Sequence, residues 1–417
     1  MNTLRVKLSG RHVGDLAVTR DGRTRWTPEP SWEAEGQHPR LGADFLRRPG
    51  RRGGVPGLPP WFENLLPERE SELRGRMCEV HGVRDGQSFA LLAAWGRDVS
   101  GAVEVVAGGV DTDDEPDEDA EPSPRLGAPP APGFRLSALA GMQLKFSMSM
   151  VNDRLALPAG GAGGQWIVKL PGRDYPDLSH IEAATMTWAR YSGFEVPVHF
   201  VRPVAELDGI PRPWLGDAVN AFVVQRFDRR KDGGKVHQED LCQALGQYPD
   251  NKYGNQPHKR ISFDGALRLV TDLSGEDVGR EMARRMGFAI ASGNGDAHLK
   301  NWSLLWGDAT RPTLTPCYDL VSTVSFPSRL GWDQQGGPRL ALRLGDQEHF
   351  ACIDRNASDA LAKKSRQPWA TEELISGIEL ARVGWRQVEP IAPQVMREAI
   401  ERHWRMVPLL GHVGLTR

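Results

Sequence analysis

The sequence predicts an α+β protein with two lobes and an additional N-terminal subdomain. Three observations carry that reading. Residues 134–230 consist of short apolar strands broken by glycine turns, whereas residues 231–417 are dominated by helical periodicity. Residues 108–133 form an acidic, proline-rich break that sets both apart from residues 1–107. The expected organisation is an N-terminal subdomain (1–107), a linker (108–133), a β-rich lobe (134–230) and a mostly helical lobe (231–417).

In chain order, Leu4–Leu8 and Val13–Val18 flank a Ser-Gly-Arg turn and read as a β-hairpin. Residues 48–60 are rich in Arg, Gly and Pro and read as a loop. Trp61–Leu66 is a short amphipathic turn, followed by a charged helix near 68–80, an apolar helix over Phe89–Trp95 and a strand over Val103–Val106. Residues 111–122 then carry eight acidic side chains and two prolines, a composition that cannot bury a core. Phe134–Met150 reads as strand, Gly turn, strand, and Gly160–Gly164 as a flexible connection before a strand ending at Lys169. Ser179-x-x-Glu182 has the form of a capping box opening a helix through Arg190, with Gly193 as its stop. Val196–Val201 and Ala221–Asp228 read as strands, the second turning abruptly polar. A helical region starts at His237, and helical patterns follow over 262–274, 276–292, 371–383 and 394–405, with a strand and turn over Leu340–Asp346.

With 39% hydrophobic and 25% charged residues, the chain of 417 residues reads as soluble and globular, long enough for more than one buried core. Its net charge of −2 gives no bulk attraction to nucleic acid or membrane. The four cysteines, Cys78, Cys242, Cys317 and Cys352, are widely spaced and match neither a zinc site nor a disulfide framework. No apolar h-region opens the chain and no apolar run reaches a membrane-spanning length of about 18 residues. A cytoplasmic protein is expected. Only ten of the 52 basic residues are lysines, which draws notice to Lys145, Lys169 and Lys300.

The stretch richest in chemistry is Gly293–Ser303, which contains Asp296 and Asn301 in an Asp-x4-Asn spacing. Phosphoryl transfer needs one carboxylate for the acceptor hydroxyl and one amide oxygen for a metal on a single tight loop. Asp319 follows eighteen residues later, where a second metal ligand would belong. Upstream, a Gly turn could let backbone N–H groups approach phosphate. The ammonium of Lys169 could neutralise phosphate charge, and Glu182 could hold that lysine. The backbone of Gln225–Phe227 could pair with adenine while Asp228 meets the ribose. Each feature also has a plainer reading: a solvated strand-end lysine, a helix cap, or an Asp228 that simply pairs with the basic residues after it. Their shared order in the chain favours the nucleotide reading.

Leu139–Ser147, Trp166–Lys169, Val224–Arg229, Gln238–Gln243, Gly295–Asn301 and Cys317–Leu320 together resemble the HipA family of toxin kinases, and Phe62–Glu68 resembles that family's N-terminal subdomain. The resemblance implies a bilobal fold related to protein kinases and serine/threonine kinase activity with ATP and Mg²⁺. It also implies a HipB-like DNA-binding antitoxin as partner, with DNA reached only through it and no membrane. Family substrates include aminoacyl-tRNA synthetases, whose phosphorylation leads to growth arrest or persistence. Carried over by position, Asp296 is the expected catalytic base. Ala140, Gly141, Met142, Gln143, Leu144, Lys145, Lys169, Gln225, Arg226, Phe227, Asp228, His298, Leu299, Lys300, Asn301, Tyr318 and Asp319 are the expected nucleotide-site residues, with Asn301 and Asp319 as metal ligands. One position departs from the pattern. Where the family often carries an autophosphorylated serine, this chain has Ala138, leaving Ser137, Ser147 or Ser149 as substitutes. Two other classes share parts of the pattern: a catalytically silent, kinase-shaped partner of a repressor–DNA complex, and a small-molecule phosphotransferase.

Overall fold

The computed structural model describes residues 3–34, 40–47, 53–69, 71–108, 144–158, 163–172, 175, 177–307, 310–326 and 337–412. The expected glycine turn at Ala140–Gln143, the candidate Ser137 and almost all of the 108–133 linker lie outside these residues.

The N-terminal hairpin forms as β1 (Thr3–Leu8) and β2 (Arg11–Val18), joined by β3 (Thr24–Pro28) and β4 (Val103–Ala107) in the antiparallel order β3-β2-β1-β4. Leu4, Val6 and Leu8 alternate inward and are almost fully buried, as period-two patterning requires. The helices Pro60–Glu63, Glu72–His81 and Ser88–Trp95 cover this face. A second sheet is built from β5 (Lys145–Val151), β6 (Arg154–Ala156), β7 (Trp166–Lys169), β8 (His199–Pro203), β9 (Leu207–Asp208) and β10 (Asn220–Gln225), in the order β8-β10-β7-β5-β6-β9. β8 starts at His199 because Pro197 lacks the N–H a ladder needs.

The helix Leu178–Tyr191 begins one residue before the predicted capping box, with Asp177 as N-cap and no side-chain cap bond. Ser179 therefore lies inside the helix, bonding Asn220 O at 3.3 Å, and Glu182 is released for another partner. The region predicted to be helical from His237 begins instead as β11 (Gln238–Asp240), paired with β12 (Ser303–Leu305), which pairs in turn with β13 (Thr313–Leu314). A capping box does occur there: Asp240 accepts from Gln243 N, and Gln243 reaches back to Asp240 N. The strand Arg339–Leu344 (β14) forms as expected and turns into β15 (Gln347–His349). The helix Arg355–Ser365, capped by Asp354, was not anticipated.

The helices Phe263–Ser274, Glu276–Ala291, Ala370–Val388 and Gln394–Met406 form the second lobe. Glu276–Ala291 crosses Ala370–Val388 where a Cβ at Gly287 would lie 2.0 Å from Leu374 O and one at Gly377 would lie 1.9 Å from Arg284 O. Only glycine permits that approach, which seats the helix leading into Asp296. The last carbonyls of the same helix are capped from a distance, by His403 Nε2 on Ile290 O (2.7 Å) and Trp404 Nε1 on Ala291 O (2.8 Å).

Candidate functional site

Between the lobes lies a cleft of about 1230 Å³, lined by Lys145, Lys169, Glu182, Asp296, Asn301 and Asp319 among others. That is ample for a nucleotide, since small-molecule sites span roughly 300–1,000 Å³.

The loop carrying Asp296 is fixed by its own polar groups. Asn294 Oδ1 accepts from Asp296 N (3.0 Å), and Thr323 Oγ1 accepts from Gly295 N (2.7 Å) and donates to Gly293 O (2.9 Å). Asn301 Nδ2 donates to Asp296 O (2.8 Å), which orients the amide and leaves Oδ1 as its outward acceptor. The side chain of Asp296 is 48% exposed and so is open to the cleft.

Lys169 sits at the end of β7, almost completely buried, and its Nζ bonds both Glu182 Oε1 and Asp319 Oδ1. Lys145, at the start of β5, lies 3.3 Å from Asp319 Oδ2. Two ammonium groups thus face two carboxylates. Burial works against every one of these charges. For Lys169 it is outweighed by Asp319 and then Glu182, which hold the ammonium protonated well above the ordinary lysine range. For Asp319, Lys145 and Lys169 overcome burial and hold the carboxyl well below its ordinary range. Burial pulls Lys145 down and pushes Glu182 up, the latter only partly offset by Lys169. Asp319 adopts φ 51°, a left-handed conformation that aspartate tolerates better than most residues.

Asn301 and Asp319 offer an amide and a carboxylate oxygen. Among the described residues no group of three or more His, Cys, Asp or Glu forms a metal cage. Both are hard oxygen donors of the kind Mg²⁺ takes, so Asn301 and Asp319 are the residues that would hold such an ion.

Several predicted contacts need correction. Asp228 borders the cleft, but its buried carboxylate is taken up by protein donors, with Arg226 Nε and Nη2 at 2.9 Å, Arg229 Nη1 at 3.0 Å and Gly101 N at 2.9 Å. Burial would raise its pKa, but Arg226 and Arg229 hold it at about 2. Arg226 donates its N–H to Gln165 O and Gln225 donates its N–H to Val198 O, both at 2.8 Å, so these two N–H groups are already used within the protein. The side chain of Leu299 packs into the core behind the loop. The ammonium of Lys300 is already engaged within the protein: its Nζ bonds Asn64 O (3.3 Å), Asn64 Oδ1 (2.9 Å) and Asp240 Oδ2 (3.0 Å). Ser147 is buried, accepting from Gly164 N at 2.8 Å, and so is closed to phosphorylation in this fold. Ser149 pairs in register with Ala156 on the β5–β6 ladder.

Other expected residues do meet the cleft. Leu144 lines it beside Lys145. Phe227 and Tyr318 stack with ring centroids 5.6 Å apart, and Tyr318 Oη bonds Ser303 Oγ (2.5 Å) and Lys300 O (2.8 Å). His298 is buried with Nδ1 unpaired, and burial lowers its pKa. Sequence reasoning missed Tyr253, whose hydroxyl donates to Asp296 Oδ1 at 2.9 Å. It also missed the N-terminal residues Asn64 and Glu68, the latter paired with Lys252 at 2.8 Å.

A β-rich lobe with a lysine–glutamate pair, a helical lobe with an Asp-x4-Asn loop and an Asp319 between them define a bilobal protein-kinase-like fold. Two family models match, the HipA N-terminal domain over residues 4–106 and the HipA-like C-terminal domain over residues 137–401. Y4dM of Sinorhizobium fredii, which has the word kinase in its name, is 33% identical over 425 residues, covering 98% of each chain. The serine/threonine-protein kinase toxin HipA of Shewanella oneidensis is 29% identical over 312 residues, covering 68% of this chain and 66% of that one. The solved complex of Shewanella oneidensis HipA with HipB and operator DNA superposes with a TM-score of 0.71 at 23% identity over 99% of each chain. The chain belongs to the HipA family of serine/threonine kinase toxins.

Proposed function

We propose that this protein transfers the γ-phosphoryl group of ATP to a serine or threonine hydroxyl of a protein, acting as a toxin restrained by a HipB-like, DNA-binding antitoxin. The observation that supports the reading is that Lys169, bonded to both Glu182 and Asp319, lines one cleft together with Asp296 and Asn301. Mg²⁺ bound with ATP would neutralise charge that develops on the phosphates. Lys169 and Lys145 bind and orient the phosphate chain. Glu182 keeps the Lys169 ammonium in place, and Asn301 with Asp319 holds the metal. Asp296 orients the acceptor hydroxyl and takes its proton. Catalysis is then chiefly positioning and charge stabilisation.

An aminoacyl-tRNA synthetase as substrate, growth arrest as consequence and a cytoplasmic setting complete the reading. No described helix is long and apolar enough to cross a membrane. The test is incubation with [γ-³²P]ATP, Mg²⁺ and a dialysed bacterial protein extract, followed by phosphoamino-acid analysis. Label in phosphoserine or phosphothreonine is expected. Label passing only to choline or an aminoglycoside, or to nothing, would refute the proposal.

A further inference from the structure

The hydroxyl of Tyr253 lies 2.9 Å from Asp296 Oδ1, closer than His298 Nε2 at 3.8 Å. A half-exposed carboxylate on a loop has two equivalent oxygens and free rotation about its last bond. An acceptor hydroxyl can be engaged reproducibly only if that rotation is restrained. We propose that Tyr253 is the positioning residue of the catalytic carboxylate: its hydroxyl holds Oδ1 of Asp296 so that Oδ2 is presented to the acceptor. The proposal rests on the kinase reading above.

Tyr253 is partly exposed, but its ring and the backbone beside it are anchored. Its ring meets the buried His298 ring edge-on, with centroids 5.3 Å apart at 80°. The preceding carbonyl, Lys252 O, accepts from Leu299 N at 3.0 Å, tying this segment to the catalytic loop through its backbone. Lys252 Nζ reaches Glu68 Oε1 and Oε2 at 2.8 and 3.0 Å, which anchors the segment to the N-terminal subdomain. On the other side Asn251 Nδ2 bonds Lys259 O (2.9 Å) and Gln247 Oε1 (3.0 Å). Burial, and then the charge of Asp296, push the tyrosine hydroxyl above its ordinary range, so it remains a donor.

A hydroxyl on the catalytic carboxylate could instead be a stand-in for the acceptor, displaced whenever substrate binds. The two roles predict opposite kinetics, and the anchorage of Tyr253 to the loop it touches favours positioning. Tyr253→Phe removes one oxygen and keeps the ring packing. Initial rates of ³²P transfer from ATP to the dialysed extract would be measured at varied extract concentration, with ATP affinity by calorimetry and Asp296→Ala in parallel. Positioning predicts that kcat falls about 10-fold while KM for extract and ATP affinity stay within about twofold. It also predicts no further loss when Tyr253→Phe is added to Asp296→Ala, because the tyrosine acts only through that carboxylate. An unchanged kcat, a lowered KM at constant kcat, a parallel loss of ATP affinity, or an additive loss in the double variant would each overturn the proposal. Wild-type transfer no greater than that of Asp296→Ala would overturn the kinase reading itself, and this proposal with it.

Discussion

Lys169 holds two carboxylates at once; without it Asp319 keeps only Lys145, and Glu182 loses its counter-charge. Lys169→Met is therefore expected to weaken ATP binding and also to destabilise the fold by about 3–5 kcal/mol, because Glu182 stays buried without a counter-charge. Calorimetry and denaturant titration separate the two effects. Adding Glu182→Gln should restore much of the stability and none of the affinity. At this scale Lys169, Asp296, Asn301 and Asp319 were legible in the sequence, since their spacing follows from the chemistry. The contact of Glu182 with Lys169 was one of two readings its pattern offered, and the structure has it, while for Asp228 the sequence did not decide between ribose and arginine. A Ser-x-x-Glu pattern looks the same whether its glutamate caps a helix or crosses to a lysine, and only the helix start at Leu178 distinguishes the two. For Asp228 the plainer reading, pairing with its neighbour Arg229, describes the structure. Tyr253 left no sequence signal because its partner lies 43 residues away.

Among the elements, loops of the N-terminal subdomain contact residues of both lobes at the cleft. At the hinge, Asp98 Oδ1 contacts Arg226 Nη1 (3.3 Å) and Arg229 Nη2 (2.7 Å). Gly101 approaches β11 so closely that a Cβ would lie 2.9 Å from Gln238 N, and its φ of +78° reinforces the need for glycine. At the loop carrying Asp296, Asn64 bonds Lys300, and beside it Glu68 bonds Lys252. Asp98→Ala is expected to cost about 3 kcal/mol by leaving two guanidinium groups under-paired in a buried site. Chemical denaturation checks this, and a loss within 0.5 kcal/mol, the range of an ordinary surface substitution, would contradict it. Most helices and strands were legible from periodicity. The β11–β12 pairing was not, because three-residue strands carry too little pattern and depend on partners 60 or more residues distant.

For the molecule as a whole, the N-terminal subdomain is not energetically separate. Leu4, Val6, Trp61 and Phe62 share one continuous core with Phe146, Met148, Val168 and Val223 of the second sheet. The composition break marks a boundary in the chain, not in the core. Hydrogen exchange is expected to show β1 and β7 opening together, and early opening of β1 alone would contradict that. Stability should also peak near pH 6.5, about where free histidine titrates. Burial lowers His237 and His403 from 6.5 to about 4, so their contribution is complete above 6.5 and lost as pH falls toward 4. Burial raises Glu239 from 4.5 to about 8 despite N–H donors from Ala43, Trp61 and Trp306. Its contribution is complete below 4.5 and lost as pH rises through 8. Two histidines outweigh one glutamate below 6.5, and above it, with the histidines neutral in both states, Glu239 turns the slope downward. Melting temperatures across pH 4–8 test this, and Glu239→Gln should remove the decline on the alkaline side. The central claim is that one cleft binds ATP through Lys169 and Asp319 and uses it through Asp296. Its most direct test compares wild type with Asp296→Ala for ³²P transfer and for ATP affinity. Transfer should fall by about 10²–10⁴-fold while affinity stays within about threefold. Undiminished transfer by the variant would contradict the account.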